Sequence, residues 1–324
     1  MSRTFRKYLA SLLLFGSNGI VASSITLSSS QVVLMRTFLG ALLLVVVLAV
    51  SVLRARGRDG KEAHALASLA HPRQAVCLAV SGAALGIGWI FLFAAYRLIG
   101  VGVATLAYYT GPVIVMALSP LLFGERLTSA KLLGFAAVLT GAFLVVAQGG
   151  TGSINLAGLA LGGLSAVAYA VMVVFSKKAP EVRGIEAATI QLVASFSAVA
   201  VYAAALGQVP SLGAVAASNL PATLVLGLVN TGLGCYLYFS AMGDLPVQRV
   251  AVCGYLEPLS AVVLSAVVLS EAMGPARILG AALIIGGAAS CELLGKRSLG
   301  PALSRLPRLG RPRHATVGLA HQHA

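Results

Sequence analysis

Ten apolar stretches follow one another through most of this 324-residue chain, in which only 10% of the residues are charged. About 20 apolar residues in a helix are enough to cross the ~30 Å hydrocarbon core of a bilayer. Little sequence separates the stretches, so we expect no soluble domain between them. The sequence therefore predicts an all-α integral membrane protein with ten transmembrane helices. The ten spans, numbered in chain order, lie at residues 8–27, 30–53, 74–96, 100–123, 129–147, 155–176, 187–206, 220–242, 247–269 and 275–294.

The net charge of +14 is distributed unevenly about these spans. With a cytoplasmic N-terminus and alternating sides, 20 of the 23 Lys and Arg residues fall in cytoplasmic segments. Such a bias is typical of the inner, cytoplasmic membrane, and it predicts that both termini are cytoplasmic. The charge therefore does not require a nucleic acid partner. We expect loop 54–73 to be polar and the basic tail, 295–324, to be disordered and cytoplasmic.

The first span follows Arg3, Arg6 and Lys7 and ends near small residues, as a signal peptide does. Nine further spans favour a retained transmembrane helix over a cleaved leader.

An internal repeat is visible when the chain is shifted by 146 residues. Residues 88–142 then align without a gap on residues 234–288, with 15 identities in 55 positions. Matched positions include Tyr109 with Tyr255 and Pro112 with Pro258. Spans 3–5 thus repeat as spans 8–10, which gives two units at 1–147 and 155–294. Because five spans are an odd number, the second unit enters the membrane from the opposite side. Inverted repeats of this kind are common in secondary transporters.

Several motifs resemble those of a known family. They are GSNG at 16–19, the arginine-bearing VLMRTFLGALLL of span 2, YYTGPVIVMALSPLLFGERLT at 108–128 and YLEPLSAVVLSAVVLSEAM at 255–273. These segments are similar to EamA-like transporters of the drug/metabolite transporter superfamily. The stretch GVATLAYYTGP resembles the threonine/homoserine exporter branch most. The resemblance implies export of amino acids or other small metabolites, often in exchange for protons.

Polar and aromatic side chains inside the spans are the candidate binding residues. Polar groups in lipid need partners, and tyrosine combines an apolar ring with a hydroxyl. Either these residues tie helices together or they line a cavity for an amphipathic substrate. We predict the cavity, with Arg36 free either to snorkel or to bind a carboxylate. The predicted substrate-binding set is Asn18, Arg36, Trp89, Tyr108, Tyr109, Tyr169, Asn230, Tyr238 and Tyr255.

Glu257 raises the most specific question, because it places a carboxyl group directly before Pro258 in an apolar span. Pro112 and Pro258 each predict a helix kink, since proline lacks a backbone donor. The first repeat has no carboxylate at the equivalent position, so the kink alone does not explain Glu257. It either donates a structural hydrogen bond or carries protons across the membrane; we predict proton coupling. We expect Glu125 and its repeat mate Glu271 to act at helix starts.

Together these features predict a secondary transporter that exports a small amphipathic metabolite, most plausibly an amino acid, by alternating access through a midplane cavity. An uncoupled facilitator or an importer remains open as an alternative. A membrane-embedded enzyme is disfavoured, because no histidine lies inside a span and no nucleotide-binding loop is present. We expect no catalytic residue, no metal, no cofactor and no obligate protein partner. The expected partners are a small-molecule substrate and the lipid bilayer.

Overall fold

The computed structural model describes residues 2–58, 66–125, 127–146, 155–268 and 274–297, and within those ranges every regular element is helical. The first half contains α1 (Arg3–Gly16), α2 (Asn18–Ser23), α3 (Ser29–Arg58), α4 (Ala67–Ala70), α5 (Pro72–Tyr108), α6 (Gly111–Phe123) and α7 (Ser129–Val146). The second half contains α8 (Leu156–Lys177), α9 (Gly184–Ala205), α10 (Leu212–Ala217), α11 (Leu220–Leu224), a π-helix (Val225–Leu233), α12 (Gly234–Met242), α13 (Val247–Gly254), α14 (Leu256–Val268) and α15 (Pro275–Arg297).

Five helical stretches in the described ranges are long and apolar enough to cross a membrane. They are Ser29–Arg54, Pro72–Ile99, Leu156–Lys177, Gly184–Ala205 and Leu220–Met242. Shorter apolar helices cover Gly111–Phe123, Ser129–Leu144 and Ile278–Ser290. The all-helical membrane character predicted from the sequence is therefore confirmed, while the count of ten remains a prediction.

The boundary predicted between spans 3 and 4 falls inside α5, which runs from Pro72 to Tyr108. The contacts of α5 with α8 reverse direction there. A Cβ at Gly88 would lie 3.2 Å from Ala168, and one at Gly158 would lie 2.5 Å from Ile99. Ala104 and Ala107 then lie against Gly162, further back along α8. The chain thus turns back near residue 100, where the apolar stretch Pro72–Ile99 ends.

Four predicted spans are interrupted inside the bundle. Span 1 is divided at Ser17, between α1 and α2, and span 8 contains the π-helix. Spans 4 and 9 are each divided close to the repeated tyrosine, with α6 beginning at Gly111 and α14 at Leu256. Loop 54–73 is shorter than predicted, since α3 extends to Arg58 and α5 begins at Pro72. Most of the predicted tail, 298–324, lies outside the described residues.

The two halves meet along α7 and α15 through glycines that are repeat mates. A Cβ at Gly141 would lie 2.5 Å from the carbonyl oxygen of Gly280, and one at Gly287 would lie 2.5 Å from that of Gly134. Gly280 is the repeat mate of Gly134, and Gly287 is that of Gly141. Each glycine therefore contacts the mate of the other, so the two contacts are reciprocal. Equivalent helices therefore pack antiparallel, as an inverted repeat requires.

Glu125 also joins the two halves. Its carboxylate accepts hydrogen bonds from Val247 N at 2.6 Å and Gln248 N at 3.0 Å. Glu125 is thus at a helix start, as expected, but at the start of α13 and not of the next helix in its own half. The free N–H groups and the positive end of the helix dipole explain why a carboxylate binds there. Glu271 lies outside the described residues.

Candidate functional site

A cavity of about 70 Å³ lies in the interior of the helix bundle, where the interrupted helices meet. Seven of the predicted substrate-binding and coupling residues line it, together with Pro112: Asn18, Trp89, Tyr108, Tyr109, Tyr169, Tyr238 and Glu257. They come from α2, α5, the turn after α5, α8, α12 and α14. Residues about 240 positions apart in the sequence therefore share one wall. The remaining wall is mostly apolar, with Leu12, Phe15, Leu85, Met172 and Phe239 among its residues.

Aromatic rings form a connected network around this cavity. The ring centroids of Tyr108 and Tyr169 lie 5.8 Å apart, and the Tyr169 and Tyr238 hydroxyls are separated by 3.5 Å. Tyr238 stacks on Tyr8 at 5.3 Å, and the Tyr8 hydroxyl donates to Val250 O at 2.8 Å. Centroid separations of this size are favourable for aromatic pairs. The network presents ring faces and a few hydroxyls to whatever enters.

The breaks in spans 4 and 9 bring the repeated tyrosines together. The ring centroids of Tyr109 and Tyr255 are 5.6 Å apart, and the Tyr255 hydroxyl donates to the backbone oxygen of Tyr109. Tyr255 is completely buried and does not line the cavity. The carbonyls four residues before Pro112 and Pro258 belong to Tyr108 and Gly254, the last residues of α5 and α13. Each proline lies in the first turn of a new helix, where its missing N–H is tolerated.

Glu257 contributes the cavity's one carboxyl group among the described residues. The group is half-buried. Within the described ranges no side chain or backbone group forms a hydrogen bond or ion pair with it. A carboxyl group so placed has solvent or a ligand as its available partner. Ser260 Oγ, on the same helix, lies 2.8 Å from Glu257 O and 3.2 Å from Leu12 O of α1.

Arg36 is buried and packs against Trp89 without itself lining the cavity. Its guanidinium carbon is 4.4 Å from the Trp89 ring centroid, and its Nε donates to Thr231 Oγ1 at 2.9 Å. Thr231 belongs to the π-helix and donates to Leu226 O, five residues earlier. The extra residue of the π turn thus brings Thr231 opposite span 2.

Asn230 does not line the cavity either; it fixes the break in span 1. Its Nδ2 lies 3.0 Å from Leu14 O, 2.8 Å from Ser17 Oγ and 3.1 Å from Asn18 Oδ1. The Leu14 carbonyl, near the end of α1, also accepts from Ser17 N at 3.1 Å and Ser17 Oγ at 2.7 Å. Asn230 thereby positions Asn18, which does reach the cavity.

The cavity also contains residues that sequence reasoning missed, including Tyr8 and Cys235. Tyr8, Leu12 and Phe15 are spaced by four and three residues, so they share one helix face. That face continues to Asn18, which was predicted, and the spacing would have identified Tyr8. Cys235 carries no comparable signal, because a cysteine in an apolar span is most often a small core residue.

Comparison with known proteins agrees with this architecture. The model of the EamA-like transporter family matches residues 8–147 and 156–291. The chain belongs to the EamA-like transporter family. It is similar to an uncharacterized protein of Pseudomonas aeruginosa, with 28% identity over 251 residues that cover 76% of this chain and 81% of that protein. It is also similar to the aromatic amino acid exporter YddG of Ancylobacter novellus, with 29% identity over 220 residues, covering 65% and 76% respectively.

A crystal structure with 23% sequence identity superposes on this EamA-like fold with a TM-score of 0.73, covering 91% of this chain and 99% of the other. At that identity the likeness shows the fold alone. Membership in the EamA-like family, together with the apolar helices, identifies a multi-pass membrane protein and points to a transporter and not to an enzyme.

Proposed function

We propose that this EamA-like protein exports an amino acid, or a similarly small amphipathic metabolite, through the central cavity and couples its movement to protons. The observation that carries the proposal is the carboxyl group of Glu257, which faces an aromatic cavity and forms no hydrogen bond or ion pair with the described residues. An α-ammonium group would pair with that carboxylate. The substrate's side chain would lie among the tyrosine rings and Trp89, which bind apolar groups and cations alike.

A relative named as an aromatic amino acid exporter makes aromatic amino acids the first substrates to test. The ring network is chemically suited to them, since ring–ring pairs prefer the separations of 4.5–7 Å that already occur around the cavity. The Asn18 amide can donate its N–H hydrogens to the substrate's polar end. Its oxygen already accepts from Asn230 Nδ2 and has one further lone pair.

Alternating access would use the two halves as ten spans of opposite orientation in the cytoplasmic membrane, with both termini inside. The antiparallel glycine contacts between α7 and α15 support this arrangement. The interrupted helices support it as well, because discontinuous helices at the midplane are the usual site of binding in secondary transporters.

Trp89 provides a direct binding test, because it is the only tryptophan in the chain and it lines the cavity. Purified protein in detergent is titrated with phenylalanine, which does not emit where indole does. We expect a saturable change in emission. Trp89→Phe, as the control, removes the signal. A folded protein whose emission is unchanged by phenylalanine and by every other amino acid would contradict the proposed substrate class.

Transport is tested separately in proteoliposomes. Vesicles loaded with unlabelled phenylalanine should take up labelled phenylalanine by exchange, and an imposed pH gradient should drive accumulation. Exchange without any response to pH would identify an uncoupled facilitator instead.

A further inference from the structure

Two buried side-chain atoms in the described ranges have no hydrogen-bond partner, Arg36 Nη2 and Ser195 Oγ. Buried polar groups in native proteins are nearly always paired, so each exception calls for an explanation. Arg36 is only 6% exposed and Ser195 is completely buried. No carboxylate of the described residues lies within ion-pair distance of Arg36. Both exceptions are hydrogen-bond donors, and an acceptor from outside the chain would satisfy them.

The two groups lie in the same region, between α3, α5 and α9. A Cβ at Gly86 would be 3.1 Å from Ser195 Oγ, so this hydroxyl faces α5 one turn before Trp89. Along the α3–α9 contact, Thr189 Oγ1 lies 3.4 Å from Leu44 O. One turn further along this antiparallel contact, a Cβ at Gly40 would lie 3.0 Å from the side chain of Leu192. The next turn in the same register places Ser195 at the level of Arg36.

The guanidinium of Arg36 is held in place without using all its donors. Nε is bound to Thr231 Oγ1, and one face of the group stacks on Trp89. The Nη2 edge remains free. A planar guanidinium edge matches the two oxygens of a carboxylate, and Ser195 adds a donor of the kind that carboxylates accept.

A second cavity, of about 330 Å³, is lined by neighbours of this region. Val33 is one turn from Arg36, and Ile90 is next to Trp89. Arg97, Tyr202 and the serines at 28–30 also line it, on the side that the charge distribution predicts to be external. Trp89, on which Arg36 stacks, lines the central cavity, so Arg36 has a neighbour in the wall of each cavity.

We propose that Arg36 and Ser195, beside Trp89, form a second binding subsite, specific for a carboxylate, in which Arg36 Nη2 and Ser195 Oγ are the hydrogen-bond donors and Thr231 is a positioning residue. The assignment rests on the proposed function and extends it. The substrate's ammonium group is recognised at Glu257 and its carboxylate at Arg36 after the Trp89 indole turns aside. The second cavity, on the predicted external side, then receives the released substrate. Amines that lack a carboxylate bind in the central cavity but lose this second contact.

The first experiment uses acetate as an anion probe, because it needs no assumption about the substrate. The guanidinium lies over the indole, so an anion bound to it should shift Trp89 emission saturably. We expect the shift to disappear in Arg36→Gln and to require at least fivefold more acetate in Ser195→Ala. Ser197→Ala is the matched control, since its exposed hydroxyl already donates to Val193 O on the same helix. It should behave as wild type.

An acetate response that is absent in the wild type, or equal in wild type and Arg36→Gln, would overturn the subsite. Water would then be the partner of the two unpaired donors. If Arg36→Gln does not fold, Ser195→Ala decides alone: unchanged acetate affinity in that variant would overturn the proposal.

The second experiment compares phenylalanine with phenethylamine, which lacks the carboxylate. We expect wild type to bind phenylalanine at least tenfold more tightly, and Thr231→Val to reduce that ratio severalfold while leaving phenethylamine affinity unchanged. Equal binding of the two ligands by wild type would overturn the subsite. An acetate response without any phenylalanine binding would support the subsite and contradict the proposed substrate class, so the two failures are distinguishable.

Discussion

At the scale of single residues, the polar groups inside this bundle differ in what satisfies them. Asn230 Nδ2 has three acceptors of span 1 within hydrogen-bond distance. Arg36 donates from Nε to Thr231 and stacks on Trp89, while its Nη2 has no partner among the described residues. The carboxyl of Glu257 faces the cavity and forms no hydrogen bond or ion pair in the described ranges. The less a buried polar group is paired, the more it depends on a ligand, a proton or water.

Replacing Glu257 with Gln tests its proposed proton coupling. Glutamine keeps the size and hydrogen bonding of the side chain but cannot titrate. We expect normal insertion and folding, with pH-driven accumulation abolished and exchange of substrate retained. Uptake into proteoliposomes with and without a pH gradient measures both. Accumulation of substrate by this variant against its gradient, driven by a proton gradient alone, would show that Glu257 does not carry the coupling.

Ser195→Ala should stabilise the ligand-free protein. Removing a buried hydroxyl that lacks a partner relieves a desolvation penalty of about 1–3 kcal/mol. The matched control is Ser81→Ala, because the Ser81 hydroxyl lies 2.7 Å from Met172 O and 2.6 Å from Gln191 Oε1. That variant should lose stability. Thermal unfolding in detergent, without ligand, compares the two variants; a similar loss in both would mean that Ser195 has a partner after all.

At the scale of helices, the contact between α7 and α15 depends on the absence of side chains. Gly141→Ala and Gly287→Ala should each destabilise the protein by about 1–3 kcal/mol, because the added methyl group forces the helices apart. Gly286→Ala is the matched control, since nothing lies within 4 Å of the position of its Cβ. It should be neutral or slightly stabilising. Unfolding midpoints of the three variants test the expectation, and tolerance of alanine at 141 or 287 would contradict the close contact.

Glu125 should control how readily the start of α13 is exposed. Glu125→Ala removes two hydrogen bonds between the halves, so we expect a cysteine at position 248 to react severalfold faster with a soluble thiol reagent. The background lacks the four native cysteines. Glu186→Ala is a suitable comparison, because Glu186 binds Ala67 N and Ser68 N in the same way but far from α13 along the chain. Equal labelling in Glu125→Ala and the parent would show that this contact does not hold the halves closed.

The sequence predicted these helices better than it predicted their interruptions. Hydrophobic length identifies a span, and the repeat identifies its mate, so the helical membrane fold and most cavity residues were accessible. The GSNG stretch at 16–19 and the pair Asn230 and Thr231 already indicated interruptions of spans 1 and 8. The geometry of those interruptions was not accessible, since Asn230 and Thr231 fix it across the bundle. Arg36, Asn230 and Tyr255 were predicted to bind substrate, and only tertiary packing shows that they do not line the central cavity.

At the scale of the whole molecule, orientation in the membrane is the central expectation. The charge distribution predicts that reporters fused after residue 60 or at the C-terminus are cytoplasmic and that one near residue 212 is external. Paired reporters active on only one side of the membrane measure this. Finding both termini outside would place the second cavity on the cytoplasmic side and would reverse the orientation of both repeats.

The tyrosine contact at the two helix breaks has a consequence for kinetics. Tyr255 donates to the backbone of Tyr109, but in the described part of the chain Tyr109 makes no equivalent bond to Tyr255. If the halves exchange shapes during transport, the Tyr109 hydroxyl would donate to the backbone of Tyr255 in the other end state. Tyr255→Phe would then destabilise only the end state described here. The variant should change the turnover rate without altering the equilibrium that the gradients set.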